Sequence, residues 1–156
     1  MPWLFGPFSP GFSIAKGDAA ALSTNSLSYT LLLGKIPAIS GEFLEFIDVR
    51  DAARAHVLAL RAPPAAKVGP KRLLLSSGLF TWAKAVAHLR VARPALSDRL
   101  PDADAGAKET SPRPAVVDTA RAREVLGIDH LTDWKTTVEE TVDDLLRLEK
   151  EWTAAS

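Results

Sequence analysis

The stretch Phe46-Ile47-Asp48-Val49-Arg50-Asp51-Ala52-Ala53-Arg54-Ala55-His56-Val57-Leu58-Ala59-Leu60 changes character within four residues. Phe46 and Ile47, with Phe43 before them, are the apolar content of a strand expected from Glu42 to Val49. Asp48 then stands where a helix N-cap is wanted. Asp51, three residues on, completes the spacing of a capping box with a shorter acid than the preferred Glu. Both acids suit the positive end of a helix dipole. An alanine-rich helix over 50–62 follows, and Pro63-Pro64 stops it. A strand running straight into a capped helix is a joint of the α/β class.

Upstream, residues 2–5 form a short apolar run halted by Gly6-Pro7, a strand entering a turn. Residues 8–21 have no period and read as a loop. Residues 22–33 suit a helix of about three turns. Ser23, Thr24 or Asn25 serves as its cap, and Gly34 closes it. Downstream, Lys71-Arg72-Leu73-Leu74-Leu75-Ser76 reads as a third strand, and its unbroken leucines predict a parallel strand covered on both faces. Thr81 caps a helix that reaches about Arg93. Residues 97–114 are a polar loop. A short helix starts at Asp118 or Thr119 and ends at Gly127. The last helix starts near Asp133, with Trp134, Val138, Val142, Leu145, Leu148 and Trp152 as an apolar stripe. The order predicts one α/β domain over 1–156, with short parallel strands and helices gathered toward the C-terminus.

The composition narrows the function classes. The 156 residues are 47% hydrophobic, enough for a core, and Lys+Arg balance Asp+Glu at 19 each. A neutral chain has no electrostatic footprint for nucleic acid or an anionic membrane. Near-zero charge also favours self-association. With no cysteine, disulfides, thiolate catalysis and cysteine metal sites are excluded. The apolar N-terminus lacks a basic segment and is broken by Pro7 and Pro10, unlike a signal peptide. No run is long enough to span a bilayer. A cytoplasmic location is expected.

Residues able to do chemistry are sparse. His56, His88 and His130 have no ligand spacing, and each reads as a core or surface histidine. Asp48 and Asp51 fit helix capping better than an acid pair for proton transfer. Arg50 between them reads as a surface or salt-bridged residue. Tyr29 fails as the phenol of a Tyr-x-x-x-Lys pair, because Leu33 lies four residues on and Lys35 six. The nine glycines form neither Gly-x-Gly-x-x-Gly nor a phosphate-binding loop.

Phe5-Gly6-Pro7, the Ser23-Thr24-Asn25-Ser26 helix start and Phe46 to Leu60 together resemble the later half of the extended short-chain dehydrogenase/reductase family. The resemblance is to the subgroup with dihydroflavonol reductases and fungal methylglyoxal or ketone reductases. Lys71 to Gly78 resembles that family's next strand. Val117-Asp-Thr-Ala-Arg-Ala-Arg-Glu-Val-Leu-Gly127 resembles its Asp-x-Ser-Lys-x-x-x-x-Leu-Gly segment, with Ala120 and Arg121 replacing Ser and Lys. The likeness covers nearly the whole chain.

The resemblance implies the C-terminal half of a Rossmann-like NAD(P)-binding fold whose full-length members reduce a ketone or aldehyde with NADPH. It implies that Pro2 and Trp3 neighbour the cofactor. It implies that Phe8, Thr24, Asn25, Ser26 and Tyr29 line a pocket for a small carbonyl substrate. The family's glycine-rich turn and Tyr-x-x-x-Lys are not among these residues, so the chain is expected to be a fragment, inactive alone. A non-catalytic binding protein reusing the half-fold is the alternative. Exposing several Leu- or Phe-sized side chains costs about 1.5–3 kcal/mol each, against a typical domain stability of about 5–15 kcal/mol. Self-association, or a partner covering the sheet edge, is therefore expected.

Overall fold

The computed structural model describes residues 2–16, 18–37, 44–70, 72–102 and 117–154. Strand β1 (Trp3–Phe5) leads through a 3-10 turn (Ala19–Leu22) to α1 (Asn25–Leu32). Strand β2 (Leu44–Asp48) passes without a loop into α2 (Val49–Arg61). A one-turn helix α3 (Ala65–Val68) precedes β3 (Gly78–Phe80) and α4 (Trp82–Ala92). Helices α5 (Ala120–Leu126) and α6 (Trp134–Ala154) complete the order. Gly127 ends α5 as expected, at φ 64°, a left-handed position that glycine enters without strain.

The three strands form one mixed sheet in the order β1-β2-β3. β1 and β2 are parallel, pairing Trp3 with Phe46 and Phe5 with Asp48. β3 runs antiparallel to β2 and pairs Phe80 with Leu44. The third strand is thus displaced from its expected place and reversed in sense. Residues 72–77 are not a strand, and only the Ser77 N–H reaches β2, at the Phe46 carbonyl (2.8 Å). The reason is packing. Phe80 is 1% exposed and meets Phe5, Phe46 and Trp82 edge-on at 5.4–5.8 Å, while Leu74 stays 57% exposed. Aromatic burial of this size outweighs what the leucine run gains at the same edge. Glu42, Phe43, Lys71 and residues 103–114 of the expected elements lie outside the described residues.

Helix α6 touches all three strands as well as α1 and α4. Its stripe Val138, Val142, Leu145 and Leu148 is buried against Phe5, Phe46, Phe80, Trp82, Val86 and Leu89. A second, smaller cluster sits between α2 and α5, built on Ala55, Leu126 and Ile128 with Leu73 and Leu75 half-buried against it.

Candidate functional site

Parallel strands place their carboxyl ends together, and in open α/β sheets ligands bind just beyond those ends. Here β1 ends at Phe5-Gly6 and β2 at Asp48-Val49, and a cleft of about 320 Å³ opens between them. Its walls include Gly6, Phe8, Phe12, Thr24, Asn25 and Val49. Gly6 has φ 140°, and a Cβ there would lie 2.7 Å from the Val49 Cγ1. Glycine is therefore what lets β1 pass under the first turn of α2.

The start of α1 is built differently from expectation. Thr24 occupies the cap position, yet its side chain makes no capping bond. Its hydroxyl donates to the Leu4 carbonyl instead, and the Asn25 amide Nδ2 donates to the Gly6 carbonyl at 2.8 Å. Both side chains spend their donors pinning α1 to the end of β1. Asn25 is 6% exposed, and its Oδ1 accepts no hydrogen bond. The Gly6 bond fixes which way the amide faces, because the reverse orientation would set Oδ1 against a carbonyl. The cleft therefore holds a buried acceptor with no protein donor.

The far wall is tethered to α6. The Phe8 N–H donates to Asp144 Oδ2 at 2.8 Å, and the Trp152 indole N–H donates to the Ile14 carbonyl at 2.6 Å. Phe8 and Phe12 stack with centroids 5.5 Å apart and give the cleft a flat apolar side.

Of the residues expected at a site, the structure brings Phe8, Thr24 and Asn25 together in this cleft. Ser26 and Tyr29 are not among its walls. Tyr29 lies one turn further along α1, edge-on to Trp152 at 5.9 Å. Burial pushes its phenol pKa up, and the Glu149 carboxylate beside it adds to that. Pro2 and Trp3 belong to the opposite end of β1, where Trp3 is 39% exposed on the open sheet edge. Gly6, Phe12 and Val49 were not singled out from sequence. The turn at Gly6-Pro7 was the available signal for the first; the others needed the crossover between β1 and β2.

The acids flanking β2 are structural. Asp48 is fully buried; it accepts from the Arg50 N–H, from both arms of the Arg50 guanidinium and from the Thr137 hydroxyl. Burial alone raises its pKa, but these hydrogen bonds and the Arg50 charge outweigh it, and the net shift is downward. Arg50 also pairs with Glu140. Asp51 does not complete the capping box: its Oδ2 accepts the Thr132 N–H at 2.6 Å, tying α2 to the loop before α6. His56 bonds its own helix at the Ala52 carbonyl, and His88 bonds Glu139. Among the described residues no group of His, Asp and Glu side chains has metal-binding geometry. No described helix is long and apolar enough to cross a membrane.

No family model matches the chain. Over 98 residues it is 36% identical to the ketoreductase nvfG of Aspergillus novofumigatus, covering 60% of this chain and 27% of that protein. Over 149 residues it is 29% identical to the NADPH-dependent methylglyoxal reductase of Saccharomyces cerevisiae, covering 94% of this chain and 42% of that protein. Its fold matches the crystal structure of Gre2 from Candida albicans in complex with NADPH, with a TM-score of 0.68 at 25% identity, over 94% of this chain and 42% of that one. The chain spans less than half the length of each of these proteins. With the α/β architecture and the cleft at the ends of its parallel strands, these matches show that the chain is similar to reductases: a ketoreductase, an NADPH-dependent methylglyoxal reductase and a Gre2 solved with NADPH.

Proposed function

We propose that this chain provides the substrate-binding side of a cytoplasmic NADPH-dependent carbonyl reductase and does not turn over substrate by itself. The observation that carries the reading is the buried, donor-free Oδ1 of Asn25 in the cleft beyond β1 and β2. An acceptor left unsatisfied in a buried site costs about 1–3 kcal/mol. A hydroxyl on the substrate, or on the alcohol it becomes, repays that cost. Phe8 and Phe12 cover the apolar body of such a molecule. Ser26 and Tyr29 support the helix that carries Asn25. Pro2 and Trp3, on the open edge of β1, mark the side from which the cofactor-bearing part approaches.

Reduction requires a hydride donor and an acid. NADPH supplies the hydride when bound, but the described residues do not form a cradle for its pyrophosphate. The N-terminus of α2 carries the buried Asp48 carboxylate, which repels an anion. At α1 the Ser26 and Leu27 N–H groups already bond the carbonyls of Ser23 and Thr24. This chain's residues therefore bind and orient substrate and shield it from water.

A test uses two matched small ketones, one with a neighbouring hydroxyl, titrated into labelled chain and followed by amide NMR shifts. Both should move Gly6, Phe8 and Thr24. The hydroxyl-bearing ketone should bind more tightly, and Asn25→Ala should erase the difference. Shifts elsewhere, or NADPH oxidation by the chain alone, would refute the reading.

A further inference from the structure

We propose that a second cleft, sharing no residue with the first, binds a small oxyanion. It has a volume of about 270 Å³ and lies between residues 75–77, α5 and the loop 128–131. Its polar groups are Ser76, Ser77, Thr119, Arg123, Asp129 and His130.

Three observations converge on the ligand class. The Ser77 Oγ is buried and has no hydrogen-bond partner, although the Ser77 backbone is held on β2 by its bond to Phe46. Arg123 is exposed and makes no side-chain ion pair among the described residues, whereas its neighbour Arg121 is taken by Glu124 at 2.8 Å. The His130 imidazole on the facing loop likewise has no described partner. A hydroxyl, a guanidinium and a ring N–H all offer donors, and one group satisfies all three: a phosphate or carboxylate with several acceptor oxygens.

The walls are already set. Asp51 holds Thr132 and Arg54 holds the His130 carbonyl (3.1 Å), so α2 fixes the 128–132 loop from two points. Gly127 turns the chain out of α5 directly into that loop. Asp129 is the one acid among the described residues that line the cleft, and it opposes an anion. Its removal should therefore tighten binding, which a merely structural cleft would not show.

The full chain is titrated with inorganic phosphate and separately with succinate, with chloride at matched ionic strength as the control. Amide shifts at Ser77, Arg123 and His130 should saturate with one or both anions and not with chloride; which anion binds identifies the source. Arg123→Gln and Ser77→Ala should each weaken binding about tenfold, the scale of one charge-assisted hydrogen bond. Asp129→Asn should strengthen it, and Arg61→Gln, an exposed arginine outside the cleft, should leave it unchanged. Absence of a saturable shift, or binding that survives both weakening substitutions, would overturn the proposal and leave ordered water as the partner of Ser77.

Discussion

The two hydrophobic clusters among the described residues differ in both make-up and packing. Around the sheet, Phe5, Phe46, Phe80 and Trp82 form an edge-to-face set closed by the stripe of α6, and each is at most 1% exposed. Between α2 and α5, the cluster's buried members are Ala55, Leu126 and Ile128, and Leu60 and Leu74 stand 88% and 57% exposed. The first is a core that can hold a backbone in place. The second is a thin apolar layer with one side open. Interlocking aromatics are present only in the first, and they fill its interior where the second has small aliphatic groups.

The sharpest way to break this contrast is truncation in each cluster. Phe80→Ala should cost about 3–5 kcal/mol, and Leu126→Ala about 2 kcal/mol because its surroundings can collapse. Urea denaturation of both variants decides it, and equal losses would mean that the clusters are equivalent. Asp48→Ala comes next. It removes the cap of α2 and strands the buried Thr137 hydroxyl, while Arg50 keeps Glu140 and solvent, a loss of about 2 kcal/mol. Asp48→Asn, which keeps the cap acceptor, should lose clearly less.

The same region sets an acid response. The carboxyls of Asp48, Glu139 and Glu149 sit below their usual pKa values. Burial opposes this at Asp48 and hydrogen bonds overcome it. At Glu139 the bonds from His88 and Arg93 lead, and at Glu149 the bond from Arg99 leads. A group with a depressed folded pKa lends stability that is complete above its unfolded pKa, about 4, and is lost as pH falls through the folded value. Thermal melts should therefore show stability set by these groups declining only below about pH 4, and Asp48→Asn should flatten that decline. The smallest effect belongs to the open layer. Leu74→Ser and Leu60→Ser should change stability by within about 0.5 kcal/mol. Light scattering should nonetheless show less self-association, if this surface is what the chain hides.

Much of this was legible in the sequence, for local reasons. The junction Phe46 to Leu60 announced β2, its cap and α2, because a cap needs an acid next to a helix and proline ends one. The α6 stripe was readable from period alone. The leucine run 73–75 misled, because apolar content does not say which segment wins a sheet edge. Asn25 read equally as a cap or as a ligand contact, and the structure decides against the cap: Asn25 is already the first residue of α1, and its Oδ1 accepts no backbone N–H.

Sequence by itself determined the α/β class, the order and approximate bounds of the five longer helices but not the one-turn α3, and the reductase likeness, since capping, breaking and periodicity act between near neighbours. Only the tertiary structure decided the strand that pairs with β2, the bond of Asp51 to a residue 81 positions away, and the meeting of Phe8, Asn25 and Val49 in one cleft. These depend on which distant surfaces exclude water together, and that competition is settled only when the whole chain packs.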